Sequence, residues 1–513
     1  MTTAQFLMIA AIGIYLLCMV GVGIYWSKKT DNVGDFYLGG RKLGPFVTAM
    51  SAEASDMSSW LLMGLPGVAY LYGVSDAAWT AIGLGIGTYI NWLLVAKRIR
   101  IYTQEANNSI TLPDFFSRRY RDDKNILMCI AAVVIIIFFI PYTASGFAAC
   151  GKLFASLFGV DYMTAMIVSA IIIVGYTATG GFSAASTTDL VQSIVMSIAL
   201  IVVVCFGLSV AGGFDVVMDN ARALPGYLSM TAMYLPTEDA STPYGFLTIV
   251  STMAWGFGYF GMPHILLRFM AIEDKNKLAL SRRIATIWVV ISMFVAIFIG
   301  VVGYSMSKVG ALPVLVAADS ETIIVQIAGL LSQNGSAFAI IAGIILAGII
   351  AATMSTSDSQ LLSASSSVSH NLMQSFFKIK MTDKQAMKVA RISVVIISLV
   401  AVFIARDQNS SVFGIVSFAW AGFGAAFGPV VLCALFWKRS NKQGALAGMI
   451  VGGIMVFVWK YALRPLGGAW NIYELLPAFL CALVAIIVVS LATAAPSKEI
   501  TDEFDRVDAM CKE

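Results

Sequence analysis

The sequence predicts an all-α integral membrane protein with about thirteen transmembrane helices. Of its 513 residues, 59% are hydrophobic and only 12% are charged, whereas soluble domains carry about 25% charged residues. The mean hydropathy of +0.84 agrees with that composition. Residues 5–26, 284–307 and 412–437 are uncharged runs, each longer than the ~20 residues that cross a bilayer. Most of the surface is therefore expected to face lipid.

The apolar runs predict thirteen spans, of which the second, seventh and ninth are irregular. They lie near residues 5–26, 46–73, 76–96, 125–150, 160–180, 184–212, 244–266, 284–307, 337–368, 387–405, 412–437, 443–463 and 473–493. With the N-terminus outside, 27 of the 33 Lys and Arg residues fall in inner segments, as the positive-inside rule requires. This bias predicts an odd number of spans and a cytoplasmic C-terminal tail.

Several other classes of protein fit the sequence poorly. The seven Cys are scattered without metal-ligand spacing, and the net charge of +4 needs no nucleic acid. Only two His are present, with no zinc-protease or phosphate-binding motif, so we expect no enzyme and no organic cofactor. A channel is the other alternative, but no segment resembles a selectivity filter. No obligate protein partner is evident.

Two spans contain clusters of helix-breaking residues. In the second span, Gly64, Pro66 and Gly67 follow a polar stretch, and the seventh contains Gly256, Gly258, Gly261 and Pro263. For any single glycine, close helix packing is an alternative. Interrupted helices at matching positions of two halves, here five spans apart, indicate an inverted-repeat transporter with its site near the bilayer midplane.

The ninth span carries a hydroxylated face. Its polar residues recur at helical spacing: Ser355, Ser359, Ser363, Ser366 and His370. Such hydroxyls can simply bond back to their own helix. Alternatively, they can bind a hard cation, which prefers oxygen ligands, together with carbonyls released by a broken helix. Ser355 and Thr356 are the hydroxyls expected to face such an ion.

Aromatic residues near the breaks suggest the solute. Trp60, Tyr142, Trp255 and Tyr259 all lie close to helix-breaking Gly or Pro. Aromatic faces attract an ammonium group, and free N–H groups at a helix start attract a carboxylate. Together they suit a small zwitterion such as an amino acid. Each aromatic taken alone also fits an interfacial belt or core packing.

Four acidic residues lie at membrane depth, where charge is costly and usually functional. They are Glu53, Asp56, Asp189 and Asp358. Asp189 also fits a helix cap or an interfacial position. We hypothesise that Asp358 and Asp189, with Ser359, form a second cation site or share a proton. A structural acid in a wet vestibule is the alternative for Asp358.

Motifs along most of the chain resemble the sodium/solute symporter family, from about residue 30 to about residue 440. The matching segments are Phe36-Tyr-Leu-Gly-Gly-Arg41, Ala54-Ser-Asp-Met-Ser58, Trp60-Leu-Leu-Met-Gly-Leu-Pro-Gly67, Thr111-Leu-Pro-Asp-Phe-Phe116, Trp255-Gly-Phe-Gly-Tyr-Phe-Gly261, Pro263-His264, Met354-Ser-Thr356 and Ala419-Trp-Ala-Gly-Phe-Gly-Ala-Ala-Phe-Gly-Pro429.

The resemblance implies a leucine-transporter-type core of two inverted five-helix repeats. The implied division is a first helix and inner loop (1–45), the first repeat of spans 2–6 (46–212), an extracellular loop (213–243), the second repeat of spans 7–11 (244–437), spans 12–13 (438–493) and a cytoplasmic tail (494–513). The implied location is a bacterial cytoplasmic membrane.

The resemblance also implies a function and its residues. Sodium would bind backbone oxygens of Ala54, Met57 and Ala352 and hydroxyls of Ser355 and Thr356, with Asp56 as the essential acid nearby. L-proline, or a similar small zwitterion, would contact Ser58, Trp60, Tyr142, Trp255, Tyr259 and Pro263. The implied activity is sodium-coupled import by alternating access. Another small amino acid or a monocarboxylate is the alternative substrate.

Four positions depart from the family pattern. Glu53 and Ser59 stand where relatives commonly have glycine, and Met262 replaces a glutamine. Asp358 stands where a relative with a second sodium site has serine. The departures concern the details of the solute pocket and the number of coupled ions.

Overall fold

The computed structural model of the protein describes residues 2–28 and 33–512. Its helices are α1 (Thr3–Ser27), α2 (Val33–Leu38), α3 (Pro45–Asp56), α4 (Leu65–Tyr72), α5 (Val74–Ile90), α6 (Ala96–Glu105), α7 (Leu112–Arg119), α8 (Ile126–Phe158), α9 (Tyr162–Val210), α10 (Phe214–Arg222), α11 (Phe246–Met253), α12 (Pro263–Ala271), α13 (Leu278–Lys308), α14 (Ile323–Leu331), α15 (Ser336–Ser366), α16 (Asp383–Ile404), α17 (Val412–Phe436), α18 (Lys442–Val458), α19 (Leu475–Ala492) and α20 (Lys498–Lys512). Strands β1 (Ala232–Leu235) and β2 (Ala240–Pro243) pair antiparallel.

Within the described residues, ten helical segments are long and apolar enough to cross a membrane. Two shorter apolar helices, Trp60–Tyr72 and Tyr162–Ala178, lie at the second and fifth predicted spans. The seventh predicted span corresponds to α11 and α12, which a tight helical turn separates. The thirteen predicted segments are thus all helical, and many of their large apolar side chains, such as Leu17 and Phe246, are exposed as lipid contact requires.

Local sequence explains where several of these helices begin. Thr2 caps α1 through a reciprocal capping box with Gln5, and Thr382 caps α16 in the same way. Ser411 accepts the Gly414 N–H at the start of α17. These caps satisfy N–H groups that have no partner inside the helix.

The two predicted breaks are present. α3 ends at Asp56, Met57 is non-helical with ψ 57°, and a wide turn over Trp60–Gly64 leads into α4. In the seventh span, a tight 3₁₀ segment over Ala254–Gly261 separates α11 from α12. Met262 is extended and Pro263 opens α12, a position where its missing N–H costs nothing.

The ninth span is more regular than the sequence suggests. α15 continues without interruption through Ser355 and Thr356, and its geometry widens only over Ser367–Phe376. The fifth and sixth spans form one helical run, α9, that is broken at Gly181, where φ is 67°. Glycine adopts that left-handed conformation readily, so one residue separates the two spans.

The C-terminal tail, for which the sequence indicates only a polar segment, folds as an amphipathic helix. α20 packs on α6, with Phe504 buried beneath the guanidinium of Arg98 at 4.9 Å. Asp508 bonds to Lys512 and Arg98, which together lower the pKa of its carboxyl to about 2. The predicted extracellular loop similarly contains α10 and the β1–β2 hairpin.

Glycines of the broken seventh span pack directly against α17. α17 is the most enclosed of the ten apolar helices, with 94% of its most apolar stretch buried, against 22% for α1. Gly258 lies against the Trp420 indole, and Gly261 lies against the backbone of Phe423 and Gly428. Close packing and helix breaking, the two explanations for these glycines, therefore both apply.

We predict that Gly258→Ala destabilises the protein. A Cβ at residue 258 would lie 1.9 Å from Trp420 Nε1, so the indole must move, at a cost of about 1–3 kcal/mol. Thermal unfolding of the purified protein measures the effect. Gly13→Ala is the control, because its Cβ would meet nothing within 4 Å. Equal melting temperatures for the two variants would contradict the prediction.

Candidate functional site

The break after α3 leaves a backbone carbonyl without its helical partner. The Ser58 N–H bonds to Asp56 O at 2.8 Å instead of reaching Ala54 O. Ser355 Oγ of α15 lies 2.7 Å from that Ala54 carbonyl and 3.1 Å from Ala352 O. Three of the five oxygen groups predicted for sodium therefore meet at one point, all of them buried.

The other two predicted sodium ligands, Thr356 and Met57, are close in sequence to the first three and are also buried. Thr356 Oγ1 is buried and has no hydrogen-bond partner among the described residues. Met57 is fully buried, directly after the end of α3. An unpaired buried hydroxyl is costly, and a set of neutral oxygens suits a hard cation. The residues present therefore fit a sodium ion.

Asp56 connects the two broken spans. Its Oδ2 accepts a hydrogen bond of 2.5 Å from the Tyr259 hydroxyl of the 3₁₀ segment. Its backbone carbonyl lies 3.4 Å from the Tyr142 hydroxyl of α8. Asp56 Oδ1 is buried without a partner among the described residues. The predicted essential acid thus touches two of the predicted solute residues.

The predicted aromatic residues form a buried cluster. The Trp60 and Trp255 rings lie 5.9 Å apart, and Phe413 contacts both, at 6.2 Å and 5.4 Å. Trp420 Nε1–H donates to Trp255 O at 2.7 Å and its ring meets Tyr259 edge-on at 5.1 Å. Both Trp60 and Trp255 are no more than 3% exposed, so the cluster is closed to the surroundings.

Ser58 lies within the first break, and Pro263 comes directly after the second. Ser58 Oγ accepts the Trp60 N–H at 3.3 Å, within the break itself. Pro263 is the first residue of α12, and the ring of the following His264 lies 6.5 Å from that of Tyr142. Both residues therefore border the region between the two broken spans.

The four acidic or hydroxyl residues predicted for coupling fall into two groups. Asp56 belongs to the tyrosine pair described above. Asp189 Oδ2 instead accepts Ser51 Oγ–H at 2.6 Å and an Arg268 Nη2–H at 3.1 Å. Ser359 Oγ lies 3.1 Å from Asp358 Oδ1, 2.9 Å from Ser355 O and 2.5 Å from Arg268 Nη2. Beyond Ser359, the Ser366 hydroxyl bonds back to Ser363 O of α15, as the alternative explanation expects, whereas the Ser363 hydroxyl is buried without a partner among the described residues.

The Glu53 carboxylate forms its hydrogen bonds with the third span. Its Oε1 accepts Trp92 Nε1–H at 2.9 Å and Thr88 Oγ1–H at 3.3 Å from the third span. The carboxylate is buried, with its other oxygen unpartnered in the described part of the chain. The structure therefore joins this departure from the family pattern to the third span rather than to the predicted ligands.

Sequence analysis missed a buried arginine and a buried ion pair. Arg268 lies just beyond the end of the predicted seventh span at residue 266, but it is only 1% exposed within α12. Lys152 lies just beyond the end of the predicted fourth span at residue 150, but it is buried and pairs with the buried Glu321 at 2.7 Å. Glu321 also accepts the N–H groups of Val412 and Phe413 at the start of α17.

Comparisons with known proteins identify the family. A model of the sodium:solute symporter family matches residues 36–452. The sodium/proline symporter of Haemophilus influenzae is 42% identical over 506 residues, covering 98% of this chain and 97% of that protein. The high-affinity proline transporter PutP of Bacillus subtilis is 42% identical over 487 residues, covering 95% and 98%. A Na⁺-coupled sialic acid symporter, solved substrate-bound and outward-open, is 18% identical with a TM-score of 0.77, covering 96% and 99%.

The fold is that of a leucine-transporter-type secondary transporter, which confirms the predicted fold class. The chain belongs to the sodium:solute symporter family. It is therefore a multi-pass membrane transporter, and the family suggested by the sequence motifs is confirmed.

We predict that Tyr259→Phe destabilises the protein more than Tyr142→Phe does. Tyr259 donates the 2.5 Å bond to the Asp56 carboxyl, and leaving that buried acceptor without a donor costs about 1–3 kcal/mol. Tyr142 makes only a 3.4 Å contact with the Asp56 backbone. Chemical or thermal unfolding compares the two variants. A larger loss of stability in Tyr142→Phe would contradict the importance of the bond from Tyr259 to Asp56.

Proposed function

We propose that the protein is a sodium-coupled symporter that imports L-proline by alternating access. The observation that carries the proposal is the meeting of Ser355 with the Ala54 carbonyl, which the break after α3 leaves without its helical partner. The names of the relatives, a sodium/proline symporter and a proline transporter, support the choice of ion and solute.

Sodium would bind between α3 and α15. The proposed ligands are the carbonyls of Ala54, Met57 and Ala352 and the hydroxyls of Ser355 and Thr356. With sodium present, the Ser355 hydroxyl proton would turn away and its oxygen would face the ion. Because the ligands belong to a broken span and to an intact one, sodium binding would draw the two together.

Proline would bind among the aromatic residues at the breaks. Trp60, Trp255 and Tyr259 would enclose the pyrrolidine ring and its cationic nitrogen. Ser58, Tyr142 and Pro263 would line the remaining sides, where N–H groups at the start of α12 can receive the carboxylate. Movement of Phe413, which contacts both tryptophans, would admit the solute.

Asp56 would couple the two ligands, since it lies between the proposed sodium ligands Ala54 and Met57 and accepts the Tyr259 hydroxyl of the solute pocket. Coupling of this kind is reciprocal: sodium tightens proline binding by the same factor as proline tightens sodium binding. A membrane potential of about 100 mV adds about 2.3 kcal/mol per charge moved. We further propose that residues 46–212 and 244–437 are the two repeats that move relative to each other.

The proposed location is the bacterial cytoplasmic membrane, with the N-terminus outside and the C-terminus inside. The distribution of Lys and Arg supports this orientation. Contacts of α20 give further support, because Asp508 pairs with Arg98 and Glu503 pairs with Arg121. Both arginines lie in segments assigned to the inner side, so the C-terminal helix belongs on that side too.

Uptake into proteoliposomes tests the proposed function. Labelled proline should accumulate under an inward sodium gradient and not under an equal potassium gradient. Unlabelled small amino acids and monocarboxylates, added as competitors, test the alternative substrates. Counterflow against trapped unlabelled proline distinguishes a carrier from a channel, because a channel shows none. Equal uptake with sodium and potassium would exclude the proposal.

We predict that Ser355→Ala and Thr356→Ala raise the sodium concentration for half-maximal uptake. A hydrogen bond or ligand to a charged group contributes about 1.5–3 kcal/mol, so the shift should be about tenfold or more. Ser365→Ala is the matched control, since its buried hydroxyl bonds to Leu362 O within α15. Unchanged sodium dependence in both variants would refute the site.

We predict that Trp255→Ala weakens proline binding at saturating sodium. Removing an aromatic ring that contacts a cation costs about 0.5–2 kcal/mol of binding free energy. This corresponds to a two- to thirtyfold higher Kd for proline. Trp459→Ala serves as the control, because Trp459 pairs with Trp470 away from the breaks. Binding of labelled proline to purified protein measures both. An unchanged Kd for Trp255→Ala would assign that residue to packing alone.

A further inference from the structure

The guanidinium of Arg268 is a buried cation that donates several hydrogen bonds. Its side chain is 1% exposed and that of Asp189 is not exposed at all. Nε donates to Ser51 Oγ at 3.0 Å and Nη1 donates to His264 O at 2.9 Å. Nη2 donates to Asp189 Oδ2 at 3.1 Å and to Ser359 Oγ at 2.5 Å.

These contacts join four helices around one positive charge. Arg268 lies on α12, Ser51 on α3, Asp189 on α9 and Ser359 on α15. The face of the guanidinium covers the Phe182 ring at 5.1 Å. A carboxylate, two hydroxyls and a carbonyl are also the oxygen groups that a hard cation prefers. The arginine therefore occupies a position that is chemically suited to a metal cation.

Two of these oxygen groups belong to residues that the sequence predicts for a second cation. Asp189 and Ser359 bind the guanidinium directly, and Asp358 contacts it through the Ser359 hydroxyl. Ser359 Oγ also donates to the carbonyl of Ser355, a proposed ligand of the first sodium. The arginine is therefore one serine away from the proposed sodium site.

We propose that the Arg268 guanidinium is a tethered cation that replaces a second transported sodium ion. The inference depends on the proposed function and specifies its ion stoichiometry. A sodium ion at Asp189 and Ser359 would be repelled by the adjacent guanidinium and would compete for the same oxygens. Because the arginine is covalently part of α12, it is never released inside the cell. One sodium ion then accompanies each solute.

Arg268→Met tests the proposal by removing the charge while keeping an apolar stem. It frees the oxygens of Asp189, Ser51 and Ser359 for a metal ion. Radiolabelled sodium bound per protein at saturating proline should rise from one ion in the wild type to two in the variant. The Hill coefficient for sodium in proline binding should rise in parallel. A residue that only stabilised the fold would leave both values unchanged.

Three further variants serve as controls, each expected to bind one sodium ion. Arg268→Lys keeps the positive charge. Arg268→Met combined with Asp189→Asn removes the acid that the second ion needs, and it leaves no unpaired carboxylate at residue 189 if the single variant folds poorly. Arg119→Met removes another fully buried arginine, whose Nε bonds to Ala434 O far from this cluster.

Transport in proteoliposomes gives an independent measurement. The ratio of charge moved to proline moved should equal one for the wild type and for Asp358→Ser. A ratio of two in the wild type would overturn the proposal, as would one bound sodium in Arg268→Met when that variant is folded. If Arg268→Met folds in membranes but is too unstable to purify, its thermal stability in membranes should rise more steeply with sodium, against potassium at equal ionic strength, than that of Arg268→Lys; an equal slope overturns the proposal.

The two hypotheses fail in different ways. A wild-type protein that binds no sodium, or whose sodium affinity is unaffected by proline, contradicts the proposed function itself. A wild-type protein that binds one sodium tightly with proline, together with a variant that also binds one, contradicts only the role of Arg268.

Discussion

The hydrogen bond between Ser355 and Ala54 satisfies a requirement that applies to every membrane-spanning segment of the protein. In lipid, a backbone carbonyl released by a helix break has no water to bond with, so another part of the protein must supply its partner. At Ala54 the partner is a hydroxyl from a helix that lies 301 residues further along the chain. α3 and α15 must therefore stay close together, and the bond from Tyr259 to Asp56 holds the broken seventh span beside them. The proposed sodium and solute sites follow from that closeness.

The buried charges obey a related constraint, because each must find a counter-charge or hydrogen bonds inside the protein. Arg268 and Asp189 neutralise each other across α12 and α9, while Lys152 and Glu321 do so at the start of α17. Phe413 follows directly after that second pair and rests on both tryptophans. The Phe413 N–H bonds to Glu321, so the buried ion pair helps to fix the backbone of this aromatic contact.

Much of the fold could be predicted because its signals are local. Hydropathy determines which segments enter lipid, and Gly256, Gly258, Gly261 and Pro263 together predict that the seventh span breaks. The serine and threonine residues that cap helices likewise bond to N–H groups only a few residues away in the sequence. The prediction was less accurate where a neighbouring element decides the outcome: α15 remains regular through Ser355, and the polar tail forms a helix because α6 offers it an apolar and basic surface.

The sequence by itself determined the membrane class, the number and order of spans, the two breaks and the residue types that a sodium and amino-acid site requires. Only the tertiary structure decided which of these residues meet. It separated Asp56 from Asp189, and it brought Arg268 out of a presumed loop to a carboxylate 79 residues away in the sequence. The physical reason is that helix formation depends on near neighbours, whereas pairing of buried charges depends on how distant helices pack.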